Sequence, residues 1–328
     1  MKKIAIIGSG SWGSALAIYL ANNGNTVRMW SFSDDERDKI NNERKCVFLP
    51  KATIPENVYC SNNFEEVLDG ADIVLHVTPS KFTRETLKKY KGYLKENQLL
   101  IMCSKGFEAA TLYTLDEVVH EEVPNIRYGT LCGPSHAEEV SIGIPTALVV
   151  ASKDENLKED VVNVFKSSTM RMYTSKDVRG VELGAALKNI IAFCAGAAAG
   201  LNLGDNTFAA LVTRGLVEIS RLGVAMGGEE KTFYGLTGLG DLIVTCGSQH
   251  SRNRKAGFLI GQGHTIEETK KEVGMTIESI DNIEVAHKLS IKYNVEMPIC
   301  NAVFDVLYNG LDPKEAVEKL MTRNLREE

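Results

Sequence analysis

The chain has 328 residues, a formal net charge of -6 and a hydrophobic content of 44%, which is ordinary for a soluble globular protein of about two domains. The acidic balance argues against a protein that mainly binds nucleic acid or an anionic membrane. The 7 cysteines form no CxxC pair and the 6 histidines show no metal-ligand spacing, so we expect neither a disulfide framework nor a metal site. Glycines interrupt the apolar N-terminus too early for a signal peptide.

The N-terminal segment has the pattern of a dinucleotide-binding unit. A strand is predicted from Lys3 to Ile7, and Gly8, Gly10 and Gly13 follow it as GxGxxG before an apolar helix and a second strand, Val27 to Trp30. The first glycine permits a tight turn, the second lets a pyrophosphate approach the backbone, and the third lets helix and strand pack closely. The helix N-terminus then faces the phosphates. A glycine-rich turn without a ligand is the alternative.

The residues after the second strand leave the choice between NAD and NADP open. An acidic residue that holds the ribose hydroxyls of NAD is expected at the end of this strand, but the sequence there runs from Trp30 to Ser33. Asp34 and Asp35 follow a little late, and Arg37 is the nearest cation. Either form of the cofactor is therefore allowed.

Strands and helices continue to alternate up to about residue 175. Apolar strands are predicted at 71–78, 98–103, 128–132, 146–152 and 170–173, with a charged helix at 155–166. This alternation predicts an α/β fold with an N-terminal Rossmann-type, doubly wound, mostly parallel sheet. Ligands of such sheets lie beyond the carboxyl ends of the strands, where the sequence places Lys105, Gly133 and Ser135. A solvated loop lysine is the alternative for Lys105.

The strand pattern stops near residue 178, and a second, all-helical C-terminal domain is predicted. We therefore expect domains at 1–178 and 179–328, joined by a short charged boundary near 176–180. Helices are predicted at 181–201, 207–222, 251–260, 266–271, 277–293, 302–307 and 313–322.

Lys188 is the one cation in the apolar helix predicted from Val181 to Leu201. A helix that is apolar all round is buried in a core or spans a membrane, and the flanking Glu182, together with Lys188 itself, favours a core. Burial disfavours an ammonium, so the pKa of Lys188 is expected to fall toward the range of a general base. A lysine that extends its amine to the surface is the alternative.

Two further segments of the helical half carry unusual residues. The glycine-rich stretch from Gly235 to Leu242 is expected to be a loop that brings Asp241 to a ligand, with Thr245 following; Asp241 as a helix N-cap is the alternative. Ser251 is predicted to cap a helix that begins with Arg252. Cations at a helix N-terminus oppose its dipole unless an anion binds there, so this helix start predicts a phosphate site.

Together these motifs resemble the bacterial-type NAD(P)-dependent sn-glycerol-3-phosphate dehydrogenases. The resemblance covers nearly the whole chain and rests on residues 8–17, 104–106, 131–137, 187–189, 238–242 and 251–254. It implies hydride transfer between NAD(P)H and dihydroxyacetone phosphate, which gives sn-glycerol 3-phosphate for glycerophospholipid synthesis. It further implies a cytoplasmic homodimer with a small-molecule substrate, without nucleic acid and without membrane insertion.

The resemblance also assigns roles to individual residues. Lys188 resembles the proton acceptor, with Lys105 polarising the carbonyl and Asp241 and Thr245 orienting the lysines. Positions that resemble substrate contacts are Lys105, Gly133, Ser135, Lys188, Asp241, Ser251, Arg252 and Asn253. Positions that resemble cofactor contacts are Gly8, Gly10, Ser11, Trp12, Gly13, Phe32, Lys105, Ala137, Arg252, Thr276 and Glu278. Phe32 departs from the family, in which many members have a polar or basic residue nearby.

Two other functions remain open at this point. A β-hydroxyacid dehydrogenase of the 6-phosphogluconate-dehydrogenase-like type also joins a Rossmann unit to a helical domain that carries a lysine and an asparagine. A sensor that binds NAD(P)H without turnover is the third possibility, although Lys188, Lys105 and Asp241 together argue against it.

Overall fold

The computed structural model describes residues 1–324, which divide into two compact units. The first unit comprises Met1–Glu108 and Tyr113–Glu182, and the second comprises Ala109–Leu112 and the chain from Leu183 onward. A dinucleotide-binding domain at 1–178 and a helical substrate domain at 179–328 remain predictions.

An eight-stranded sheet forms the centre of the first unit, with strand order β10-β9-β8-β5-β4-β1-β2-β3. Neighbouring strands are parallel except β8 and β9, and β6 and β7 form a separate antiparallel hairpin. The order β3-β2-β1-β4-β5-β8 is that of a doubly wound dinucleotide-binding sheet, which confirms the predicted Rossmann-type fold. The strands are β1 (Lys3–Ile7), β2 (Thr26–Trp30), β3 (Val58–Ser61), β4 (Ile73–His76), β5 (Leu99–Met102), β6 (Phe107–Glu108), β7 (Tyr113–Thr114), β8 (Arg127–Cys132), β9 (Thr146–Ala151) and β10 (Met170–Ser175).

The central strands are apolar because the sheet is covered on both faces. Every residue of β4 and β5 is buried, as expected for parallel strands between two helix layers. The polar exception is His76, whose ring is hydrogen-bonded to Tyr90 (3.0 Å) and Thr78 (2.7 Å). Burial lowers the pKa of His76 to about 3, so this imidazole is neutral and structural.

Seven α-helices accompany the sheet. They are α1 (Ser11–Asn22), α2 (Asp34–Asp38), α3 (Phe64–Leu68), α4 (Thr83–Tyr90), α5 (Leu115–Glu122), α6 (Ala137–Val140) and α7 (Glu155–Phe165). Three further helical turns lie at Lys39–Glu43, Ser80–Phe82 and Lys91–Tyr93. The sequence pattern did not predict β3, the β6–β7 hairpin, α2, α3 and α5, since most of these elements are too short to show a periodicity.

Apart from the turn Ala109–Leu112, the described part of the second unit consists of helices and their connections. Its helices are α8 (Val178–Gly200), which begins in the first unit, α9 (Asp205–Ala225), α10 (Glu230–Phe233), α11 (Asp241–Gly247), α12 (Arg252–Gly261), α13 (Ile266–Val273), α14 (Glu278–Lys292), α15 (Pro298–Tyr308) and α16 (Pro313–Met321). A π-helical turn occupies Leu236–Gly240. The predicted loop from Gly235 to Leu242 is therefore wrong, and so is the alternative of Asp241 as N-cap, because Gly240 caps α11.

Helix α8 is the core helix of the second unit. It is long and apolar enough to cross a membrane, but 83% of its most apolar window is buried inside the structure. Glycines let α12 approach it closely: a Cβ at Gly196 would lie 2.9 Å from the Phe258 nitrogen, and a Cβ at Gly257 would lie 2.9 Å from the Ala197 nitrogen. This contact between two helix backbones fixes the start of α12 relative to Lys188.

Candidate active site

The glycine-rich turn between β1 and α1 has the geometry that the sequence predicts. Gly8 has a φ of +127°, and a Cβ there would lie 2.9 Å from the Val77 oxygen. A Cβ at Gly13 would overlap the backbone of Gly8, whereas the space beside Gly10 is open. The N-cap of α1 is Gly10, which has no side chain to bond the first N–H groups of the helix. These N–H groups, at Ser11 and beyond, therefore fit a pyrophosphate.

Two predicted cofactor positions lie near this turn in the first unit. The indole nitrogen of Trp12, in the first turn of α1, is buried and has no acceptor within residues 1–324. Phe32 follows β2 and is 85% exposed, which is unusual for a large apolar side chain and suits a surface for a flat ring.

The carboxyl ends of β5 and β8 bring three predicted substrate residues together. The Lys105 amine donates to the Gly133 oxygen over 3.4 Å, and the Ser135 hydroxyl donates to the same oxygen over 3.1 Å. Gly133 has a φ of +147°, and a Cβ there would lie 2.9 Å from the Ala147 oxygen, so glycine is required at this turn. Ala137 is buried at the start of α6.

In the second unit, Lys188 is buried together with an acid and a hydroxyl. Its amine forms an ion pair with the Asp241 carboxylate and donates to the Thr245 hydroxyl over 2.7 Å. The Thr245 hydroxyl in turn donates to the Asp241 backbone oxygen over 2.6 Å. Burial disfavours the ammonium form of Lys188, whereas the adjacent carboxylate favours it. The alternative of an amine that extends to the surface is wrong, since only 4% of Lys188 is exposed.

Asn189 was not among the predicted site residues, although it adjoins Lys188. Its amide donates to the Glu278 carboxylate over 3.1 Å, and this acid begins α14. Asn282, one turn further along α14, donates to the Ala186 oxygen over 3.2 Å. These two bonds hold α14 against the segment of α8 that carries the lysine. The signal for Asn189 was a second polar residue in an otherwise apolar run.

The start of α12 carries the predicted anion-binding residues. The Ser251 hydroxyl accepts the Arg254 N–H over 3.2 Å and so caps the helix. Arg252 donates to the Thr276 oxygen over 3.2 Å, and the Asn253 side chain accepts the Ser279 N–H over 3.0 Å. Within the second unit, the structure thus connects Lys188, Asp241 and Thr245 in one cluster and Ser251, Arg252, Asn253 and Thr276 in another.

The arrangement supplies the parts of a dehydrogenase in two sets. The first unit offers a glycine-rich turn for a dinucleotide, and the second offers a buried lysine for proton transfer and a basic helix start for an anion. Among the described residues, no group of acids, cysteines and histidines suits a metal ion.

Two family models match the chain. The model described as NAD-dependent glycerol-3-phosphate dehydrogenase N-terminus covers residues 3–158, and its C-terminus counterpart covers residues 177–318.

Proteins of this family are similar to the chain over nearly its full length. The chain is 50% identical to a glycerol-3-phosphate dehydrogenase [NAD(P)+] of Fusobacterium nucleatum, over 99% of this chain and 98% of that protein. It is 46% identical to the protein with the same name in Agathobacter rectalis, over 99% and 97%. The crystal structure of glycerol-3-phosphate dehydrogenase from Coxiella burnetii has a TM-score of 0.95 at 36% identity, covering 98% of this chain and 99% of that one. The chain therefore belongs to the NAD-dependent glycerol-3-phosphate dehydrogenase family and is an NAD(P)-dependent dehydrogenase.

Proposed function

We propose that the chain interconverts dihydroxyacetone phosphate and sn-glycerol 3-phosphate, with Lys188 as the group that transfers the proton. The observation that carries this proposal is the buried cluster of Lys188, Asp241 and Thr245 in a member of this family. When bound, the nicotinamide supplies or accepts the hydride.

Lys188 supplies the proton in the direction of ketone reduction. Its ammonium, held by the Asp241 carboxylate, donates a proton to the oxygen that becomes the hydroxyl, and it is left as a neutral amine. In the reverse direction the neutral amine takes the proton from the substrate hydroxyl. Thr245 accepts a hydrogen bond from the amine and donates one to Asp241, so it fixes the direction in which the amine points.

The remaining site residues bind the substrate and the cofactor. We assign the substrate phosphate to Ser251, Arg252 and Asn253 at the start of α12, where free helix N–H groups and a cation converge. We also assign substrate contacts to Lys105, Gly133 and Ser135, with Lys105 polarising the carbonyl. We assign the dinucleotide to Gly8, Gly10, Ser11, Trp12, Gly13, Phe32, Lys105, Ala137, Arg252, Thr276 and Glu278.

The cellular setting is also proposed by family membership. The enzyme is expected to act as a homodimer in the cytoplasm and to supply glycerol 3-phosphate to phospholipid synthesis. The burial of α8 supports a chain that does not insert into a membrane, and the net charge of -6 supports a small-molecule substrate over nucleic acid.

The test is the oxidation of NADH and of NADPH, followed by absorbance, with dihydroxyacetone phosphate as substrate. Turnover with this ketone and none with a panel of β-hydroxyacids in the reverse direction supports the proposal. Turnover with the hydroxyacids alone favours the 6-phosphogluconate-dehydrogenase-like alternative, and cofactor binding without any turnover favours the sensor.

The phosphate assignment is tested with Arg252→Ala. Because Arg252 is also assigned to the dinucleotide, NADH is kept saturating for each variant. We then expect KM for dihydroxyacetone phosphate to rise roughly 10-fold or more, because a charge-assisted bond to the phosphate is lost, while weak activity on dihydroxyacetone changes little. Lys255→Ala is the matched control, since this lysine lies in the same turn but is exposed and pairs with Glu272. Equal losses on both ketones would show that Arg252 does not bind the phosphate.

A further inference from the structure

The segment after β2 places the carboxylate of Glu36 next to the glycine-rich turn. Ser33 caps α2, and its hydroxyl accepts the Glu36 N–H over 3.3 Å. The short helix then directs the Glu36 side chain back toward the sheet, where its Oε2 atom accepts hydrogen bonds from the hydroxyls of Ser9 and, over 3.3 Å, Ser31. The hydroxyl oxygens of these two serines lie 2.8 Å apart.

Glu36 lies close to where a dinucleotide-binding unit usually has an acid that this sequence lacks. A dinucleotide-binding unit has an acid at the carboxyl end of its second strand, which holds the hydroxyls of the adenosine ribose. Here that end carries Ser31 and Phe32 instead. Glu36 lies beside it through Ser31 and beside the glycine-rich turn through Ser9. Within residues 1–324, the second carboxylate oxygen of Glu36 accepts no hydrogen bond, so it remains able to accept one from a ligand.

The cations of this segment are paired with carboxylates. Arg37 lies 2.6 Å from Asp34 and 2.8 Å from Asp38, and it also donates to the Asn62 side chain. The other three pairs are Lys39 with Asp35, Arg44 with Glu56, and Lys45 with Glu43. A phosphate on the ribose would need a cation free to bind it, and each cation from residue 31 to residue 45 is already engaged.

We propose that Glu36 binds the 2′-hydroxyl of the adenosine ribose and that the chain consequently prefers NAD(H) to NADP(H). The hydroxyl donates to the carboxylate, whereas a 2′-phosphate places a second anion next to it and finds no free cation nearby. Glu36 thus replaces the acid missing from the end of β2, reaching the same place from the following helix. The proposal rests on the cofactor class assigned above and selects one of its two members.

The test measures binding without substrate, so its result is independent of whether dihydroxyacetone phosphate is the substrate. Dissociation constants of NADH and NADPH are measured by isothermal titration calorimetry for the full chain, for Glu36→Gln and for Glu96→Gln. We expect the wild-type chain to bind NADH roughly 10-fold or more tighter than NADPH. Glu36→Gln should lower this ratio about 10-fold, by weakening NADH and strengthening NADPH.

Glu96→Gln is the matched control, because it removes the same charge by the same substitution from an exposed residue. Glu96 precedes β5 and so lies at the amino ends of the parallel strands, whereas the ligands of such sheets lie at the carboxyl ends. We expect its ratio to stay within a factor of about 2 of the wild-type value. Equal wild-type affinities for the two cofactors would overturn the proposal, and this result does not depend on whether a variant folds. A ratio that Glu36→Gln leaves unchanged, or that Glu96→Gln lowers equally, would also overturn it. If the wild-type chain binds neither NADH nor NADPH, the dinucleotide site itself is wrongly assigned.

Discussion

The side chain of Lys188 lies between an acid and a hydroxyl and is only 4% exposed. Such an environment holds an amine in one direction, which a surface lysine does not achieve. The same enclosure makes the residue sensitive to substitution, because removing the amine leaves the buried carboxylate of Asp241 without its cation. Any test of catalysis at this position must therefore separate lost chemistry from lost stability.

Lys188→Met removes the exchangeable proton but keeps most of the side-chain volume. We expect kcat to fall by at least about 100-fold, the usual contribution of a general acid or base, while the dissociation constant of NADH stays nearly constant. Lys158→Met is the matched control, since Lys158 is also buried and pairs with Glu155 in the first unit. Near-normal turnover by the Lys188 variant would remove this residue from the mechanism. A thermal melt of each variant reports any loss of folding.

At the residue scale, features set by neighbouring residues could be predicted from the sequence. The burial of Lys188 was predicted because it is a single cation in an apolar run, and the cap at Ser251 because it directly precedes a helix. Glu36 was missed because its approach to Ser9 depends on how α2 turns after β2. That turn is a tertiary feature, and no spacing in the sequence specifies it.

The contact between α8 and α12 depends on glycines in both helices. Gly257→Ala is expected to destabilise the fold by roughly 1–3 kcal/mol, because a Cβ there would overlap the backbone of α8. Gly247→Ala is the matched control, since nothing lies within 4 Å of its Cβ position. Chemical denaturation of the two variants measures the difference. Equal stabilities would show that the helices can separate without cost.

Glu218 in α9 makes stability depend on pH. Burial raises the pKa of Glu218 to about 7, although the N–H groups of Ile299 and Cys300 at the start of α15 act to lower it. The folded chain therefore retains a proton that the unfolded chain loses above its ordinary pKa of 4.5. The contribution of this group is fully present below pH 4.5 and is lost as the pH rises through about 7.

We expect the free energy of unfolding of the wild-type chain to fall between pH 5 and pH 8 by roughly 3 kcal/mol more than that of Glu218→Gln. Denaturant titrations at several pH values measure this difference. The exposed Glu315 of α16 provides the control, and Glu315→Gln should keep the wild-type pH dependence. Parallel curves for wild type and Glu218→Gln would contradict the expected proton uptake.

Among the elements, long apolar runs were predictable and short or glycine-rich ones were not. β1, β4 and β5 were located because strands buried on both faces are continuously apolar. β3 has only 4 residues and gives too little pattern. The segment Leu236–Gly240 looked like a loop because glycines usually mark turns. There, however, a glycine lets the chain pack closely, since a Cβ at Gly238 would overlap the backbone of Phe233.

For the molecule as a whole, alternation of strands and helices followed by helices alone was sufficient to predict the fold class. The antiparallel pairing of β8 with β9 could not be predicted, because an apolar strand has the same pattern in either direction. The assignment of the hairpin turn Ala109–Leu112 to the second unit could not be predicted from the sequence either. Such features arise from packing between distant segments of the chain.

The burial of α8 has a consequence for synthesis of the protein. The helices that cover it, α9, α11, α12 and α14, all follow it in the chain. When Gly200 has just emerged from the ribosome, a long apolar segment is therefore exposed without the helices that cover it. It remains exposed for some seconds, until Gly261 and α14 have also emerged. During this interval the nascent chain is a ready substrate for chaperones and for the machinery that recognises membrane segments.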